Sequence, residues 1–124
     1  GYLVKDFGND RDLTIIATGS EVEIALETSD LLSKDNINAS VVSLPCWEIF
    51  EKQSEEYKLN VLGKKLKVGV EAGSELGWHK YIGSNGIFIG MKTFGASAPA
   101  NHLFKHFGLT SDKIREKILS KINP

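Results

Sequence analysis

The stretch DLTIIATGSEVEIAL, residues 12–26, decides how the chain is to be read. Its first half, LTIIAT (13–18), is a near-continuous apolar, β-branched run, as expected of a strand covered on both faces of a sheet. Its second half changes period. Ser20 and Glu23 have the spacing of a capping box, in which the hydroxyl satisfies an early backbone N–H and the carboxylate reaches back. Val22, Ala25, Leu26, Ser29 and Leu32 then form one apolar stripe, with Glu21, Glu27, Asp30 and Lys34 placed away from it. A doubly covered strand that passes through a glycine into an amphipathic helix opens an α/β unit.

The same rhythm extends in both directions. Upstream, YLVKD (2–6) reads as a short edge strand and GNDRD (8–12) as a turn cluster. Downstream, SVVSL (40–44), LKVGVE (66–71) and GIFIGM (86–91) repeat the apolar strand character. Two short helical turns are expected around 47–52 and 54–61, before Gly63 breaks the chain. A further helix is expected from Ser97 to Gly108. Ser97 is its N-cap, Pro99 sits in the first turn, and Ala100, Leu103, Phe104 and Phe107 form its stripe. Thr110 caps a last helix whose Ile114, Ile118 and Ile122 face one way. Strands alternating with helices imply a largely parallel sheet covered on both sides.

Composition narrows the possible functions. The 124 residues suit one domain with a sizeable core. The sole Met is Met91 and the first residue is Gly1, so the chain is expected to be a piece of a longer protein. No apolar run approaches the roughly 20 residues of a membrane helix. Cys46 is the single cysteine and cannot close an intrachain disulfide, in keeping with a reducing compartment. The formal charge of −1 gives no general reason to expect nucleic acid or an anionic membrane as partner. Acids concentrate in the first half and bases in the second. The lysines at 58, 64, 65 and 67 lack interleaved aromatics, so they read as a solvated face.

Several motifs have chemical potential. ATGSEVE (17–23) has the strand–glycine–helix form of an anion site, which makes Gly19 and Ser20 candidates. It carries neither dinucleotide-binding nor P-loop glycine spacing, and Glu21 and Glu23 already put negative charge in the first turn. His102 and His106 have the i, i+4 spacing of zinc ligands, but the Ser97–Gly108 stripe turns them away from the core and no third ligand stands beside them. Cys46 has no local base to activate it and reads as a structural thiol. Glu71 ends a strand at the carboxyl edge of the sheet, where α/β proteins place their sites, with Trp78 and Tyr81 following at helical spacing. With no second carboxylate or basic partner nearby, a helix cap or a contact with a neighbouring domain is the simpler role. No assembled active site emerges.

DLTIIATGSEVEIAL (12–26), VVSLPCWEIFEKQSEEYKLNVLG (41–63), VGVEAGSELGWHKYIG (68–83) and IGMKTFGASAPANHLFKHFGLT (89–110) together resemble the C-terminal end of transketolases, in order and over nearly the whole chain. The resemblance implies a three-layer α/β/α sandwich with a mixed five-stranded sheet, one edge strand antiparallel. It implies a single domain over residues 1–124, the third of its parent, without the two cofactor-binding domains. The parent it implies is a cytoplasmic homodimeric transferase of the pentose phosphate pathway. Such an enzyme uses thiamine diphosphate and Mg2+ or Ca2+ to move a two-carbon ketol unit between sugar phosphates.

No catalytic, cofactor or metal position carries over onto this stretch, since the family places those groups in the first two domains. The expected role is packing against the preceding domain and support of the dimer. Trp47, Phe50, Trp78, Tyr81 and Phe94 are candidate interface residues, because they sit in or beside loops. The alternative is a nucleotide- or anion-binding regulatory module that uses Gly19, Ser20 and Glu71.

Overall fold

The apolar runs become five strands: β1 (Tyr2–Lys5), β2 (Leu13–Ala17), β3 (Ala39–Ser43), β4 (Leu66–Glu71) and β5 (Ile87–Gly90). Among the described residues four α-helices accompany them: α1 (Glu21–Ser33), α2 (Trp47–Glu51), α3 (Glu55–Leu62) and α4 (Ser111–Ile122). A 3-10 turn (Gly8–Asp10) lies in the GNDRD cluster. The computed structural model describes residues 2–18, 21–44, 47–71, 82, 86–90 and 111–122. The expected helix at 97–108, with His102 and His106, lies outside the described residues, as do Gly19, Ser20 and Cys46.

The strands form one sheet in the order β1-β3-β2-β4-β5. β1 runs antiparallel to β3, whereas β2, β3, β4 and β5 are mutually parallel. β2 is central and every one of its residues is buried, as its unbroken apolar run requires. Its register is tight on both sides: Ile15 lies opposite Val41 of β3 and Val68 of β4.

Strand alternation sorts the core into two halves. On one face Leu13, Ile15, Val41, Val68 and Val70 pack against Ala25 and Leu32 of α1 and against Ile114 and Ile118 of α4. On the other, Ile16, Val42 and Leu44 pack with Phe50 of α2, Val61 of α3 and Ile82. This is the three-layer α/β/α sandwich with a mixed sheet and one antiparallel edge strand.

Local chemistry sets the ends of the elements. Ser54 caps α3, its Oγ accepting from the Tyr57 N–H at 3.1 Å. Gly63 terminates the same helix at φ 73°, a backbone region that favours glycine. Beyond α1, Asp35 receives a bidentate pair from Arg115 of α4, Nε at 2.7 Å and Nη2 at 2.9 Å, which ties the two helices of that layer together.

Three expectations need correction. Glu21 was expected to lie away from the α1 stripe, but it is buried, because the first turn of α1 starts directly above the end of β2; its N–H bonds the Thr18 carbonyl at 3.1 Å. Ile122 is 41% exposed although Ile114 and Ile118 are fully buried. With 3.6 residues per turn, each four-residue step drifts by about 40°, and two steps carry Ile122 off the packed face. Phe50 is fully buried in the second half-core, so it is a core residue and not part of an exposed docking face; Ile49 beside it is the exposed apolar residue of α2.

Candidate functional site

From β2 the chain crosses through α1 to β3 on one side, and from β4 it proceeds to β5 on the other. The crevice where α/β folds bind ligands therefore lies outside the carboxyl ends of β2 and β4. Ala17 and Val70 are register partners across these two strands, so Thr18 and Glu71 are the next residues at that edge. This juxtaposes the strand ends on which the sequence placed its Gly19–Ser20 turn and its lone carboxylate. Glu71 also pairs in register with Gly90 of β5.

Glu21 and Glu23 occupy the first turn of α1 at the same edge, so the helix dipole there already has its negative partners. Among the described residues no group of three or more His, Cys, Asp or Glu side chains could hold a metal ion. Among the described residues this edge supplies no metal cradle. Of the expected interface residues, Trp47 opens α2, while Trp78, Tyr81 and Phe94 lie outside the described residues.

The opposite edge of the sheet carries a cluster that the sequence reading passed over as a turn. Arg11 is buried in front of β2. Its Nη1 donates to Thr14 Oγ1 and to the Val61 carbonyl, both at 3.0 Å, and its Nη2 donates to the Asn60 carbonyl at 3.1 Å. Those carbonyls belong to the last turn of α3, whose backbone oxygens have no intrahelical partners. A guanidinium at a helix C-terminus satisfies both the hydrogen bonds and the dipole. Asp6 approaches Arg11 Nη2 at 3.6 Å, too far for a hydrogen bond. Two of the three partners are backbone carbonyls some 50 residues away in sequence, so no side-chain motif announces them.

An open cavity of about 560 Å³ lies against this cluster, walled by Leu3, Asp6, Arg11, Leu59, Lys64 and Lys65 among others. Lys67, in β4, is half-buried, and burial followed by the positive field of Arg11 lowers its pKa. The lysines are thus not one uniform solvated face. Lys64 and Lys65 are exposed, but Lys58 is half-buried and pairs with Glu55 at 3.0 Å. Elsewhere, the hydrogen bond from Arg115 holds the Asp35 carboxyl below its ordinary range, and Asp35 in turn raises Arg115.

A doubly covered sheet with its switch point between β2 and β4 defines a domain of the three-layer α/β/α class. The comparisons identify which one. A family model described as the transketolase-like TK C-terminal domain matches residues 1–110, and the chain belongs to that family. The transketolase of Sinorhizobium medicae is 47% identical over 114 residues, which cover 91% of this chain and 16% of that protein. A transketolase of Aquifex aeolicus is 43% identical over 97% of this chain and 18% of its own length.

A crystal structure of transketolase from Pichia stipitis in complex with sedoheptulose 7-phosphate superimposes with a TM-score of 0.87 at 38% identity. It covers 98% of this chain and 18% of that one. The chain therefore spans less than one-fifth of the length of these relatives. Nothing in these likenesses supports a nucleotide- or anion-binding regulatory module at Gly19, Ser20 and Glu71.

Proposed function

We propose that this chain is a single domain, the third of a transketolase, and that it acts by packing against the preceding domain and supporting a homodimer. The observation that carries the reading is the family match over residues 1–110 in a chain that spans only 16–18% of the transketolases it resembles. The parent enzyme would transfer a two-carbon ketol unit between sugar phosphates in the pentose phosphate pathway, in the cytoplasm. Thiamine diphosphate with Mg2+ or Ca2+ would supply the carbanion chemistry. Among the described residues no group of three or more His, Cys, Asp or Glu side chains could hold the metal. No step of the transfer is therefore assigned to this domain.

The role left to it is structural. Tyr2 and Val4 on the edge strand, with Ile49 on α2, are exposed apolar residues available to a neighbouring domain. Isothermal calorimetry with thiamine diphosphate and magnesium, together with a coupled ketol-transfer assay, tests the reading. The 124-residue chain alone should give neither heat of binding nor turnover. Saturable cofactor binding or measurable transfer by the chain alone would refute it.

A further inference from the structure

The cavity at the amino edge of the sheet has an unbalanced charge. Arg11, Lys64 and Lys65 wall it, and Lys67 stands behind, its Nζ donating to the Lys65 carbonyl at 3.4 Å. Among the described residues Asp6 is the one acid in the wall, and its Oδ1 already accepts the Gly8 N–H at 2.7 Å. Among the described residues no carboxylate pairs with Lys64, Lys65 or Lys67. Among the described residues three cations and one anion therefore line one concavity, with Lys67 next to Lys65. Gathering like charges in this way is unfavourable unless a counter-charge enters.

The cavity also has the build of a receptor. The Arg11 guanidinium is held rigid by three hydrogen bonds to Thr14, Asn60 and Val61, so it needs no ordering when a ligand arrives. Lys64 and Lys65 are exposed and free to swing onto an oxyanion. Leu3 and Leu59 give the wall an apolar side. The volume of about 560 Å³ falls within the range of small-molecule sites, roughly 300–1,000 Å³.

We propose that this cavity binds a phosphate monoester, with Lys64 and Lys65 closing on the phosphate beside Arg11 and the organic body resting on Leu3 and Leu59. The site lies at the opposite end of the parallel strands from the Thr18–Glu71 crevice, and it does not depend on the assignment of the chain to a particular enzyme. Phosphate brings a charge of about −1.5 to −2 at neutral pH, which offsets most of the local excess. Since the two lysines are exposed, affinity falls as salt is raised.

The test is a 1H–15N NMR titration of the labelled chain with inorganic phosphate and with glycerol phosphate, at ionic strength held constant with NaCl. The expected result is a saturable shift of the Gly8, Asn60, Gly63, Lys64 and Lys65 amides, with glycerol phosphate binding more tightly than inorganic phosphate. K64E/K65E should weaken binding at least tenfold while its spectrum elsewhere stays that of the folded chain. D6N, which keeps the oxygen that accepts from Gly8, should strengthen it several-fold.

Four outcomes overturn the proposal. One is shifts that fail to saturate or spread equally to Lys113, Lys117 and Lys121. Another is shifts centred on Thr18 and Glu71. A third is binding unchanged in K64E/K65E. The last is no phosphate binding, together with loss in K64E/K65E of association with an acidic protein segment, which would make the patch a protein docking face.

Discussion

Replacing Gly63 with alanine tests how the amino edge of the sheet is built. Gly63 has φ 73° and ψ 179°, a region open almost only to glycine, so the added methyl costs about 1–3 kcal/mol in backbone strain. The methyl also has no room. Its carbon would sit 2.6 Å from Arg11 Nη1, 3.2 Å from Cδ and 3.3 Å from Cζ. The guanidinium cannot retreat without giving up a bond to Thr14, Asn60 or Val61, and a hydrogen bond made by a charged group contributes about 1.5–3 kcal/mol. The two effects together predict a loss of about 2.5–6 kcal/mol, a large share of the roughly 5–15 kcal/mol typical of a domain.

Urea unfolding followed by circular dichroism measures the loss, and a double-mutant cycle with R11M separates its parts. Methionine keeps the stem of Arg11 but not the guanidinium. In that background G63A should cost only the backbone strain, so the two changes should couple by at least about 1.5 kcal/mol. A cost below about 1 kcal/mol in the native background would refute the strain argument. An equal cost in both backgrounds would refute the clash with Arg11.

Further outcomes follow from the other half-core and from the charges. I118A should lower stability by about 2–5 kcal/mol, since Ile118 is fully buried against α1, while I122A should cost under about 1 kcal/mol; equal losses in urea unfolding would contradict the placement of α4. Asp35 has its pKa lowered from about 3.8, first by the hydrogen bond from Arg115. Its contribution is therefore fully present above that value and is lost as pH falls below it through the folded-state pKa. The stability difference between native chain and D35N should accordingly be constant near neutrality and shrink in acid, and a difference that persists unchanged would count against the bridge. Lys67 has a lowered pKa from burial and from Arg11, so its charged form is disfavoured by folding. Stability should rise as pH climbs toward the ordinary lysine value of 10.5. K67M should raise the urea midpoint in low salt, and a lowered midpoint would show that the ammonium is favourably paired.

What could be read in advance depended on whether the signal was local. The five strands were legible because β-branched runs such as LTIIA have to be covered on both faces. Gly63 was legible as a stop because its conformation excludes other residues. The edge position of β1 was legible in YLVKD, but its antiparallel direction came from family resemblance, since four residues of mixed exposure carry no direction of their own. Arg11 was not legible at all: two of its three partners are main-chain carbonyls far along the chain, and a basic residue in a turn reads as solvent-exposed. Phe50 was misplaced for a related reason. A five-residue helix beside a loop has too few turns to show a stripe, so its buried face appears only when β3 and α3 close over it. At the carboxyl edge the strand ends were foreseen, but nothing in the described residues converts that crevice into a reaction centre.

The edge strand β1 also has a consequence for how the chain is made. Its partner is β3, with Leu3 opposite Val42, so this segment pairs with one synthesised some 40 residues later. Until α1 and β3 exist, β1 has nowhere to dock, and β2 separates it from β3 in the chain without ever pairing with it. Its capture then depends on late, weak anchors: a bulged register between Leu3 and Lys5, and the bridge from Lys5 to Asp30 at 2.8 Å. The strand acts as a latch that shuts after the parallel sheet has formed, and it is the first piece expected to lift when the domain breathes.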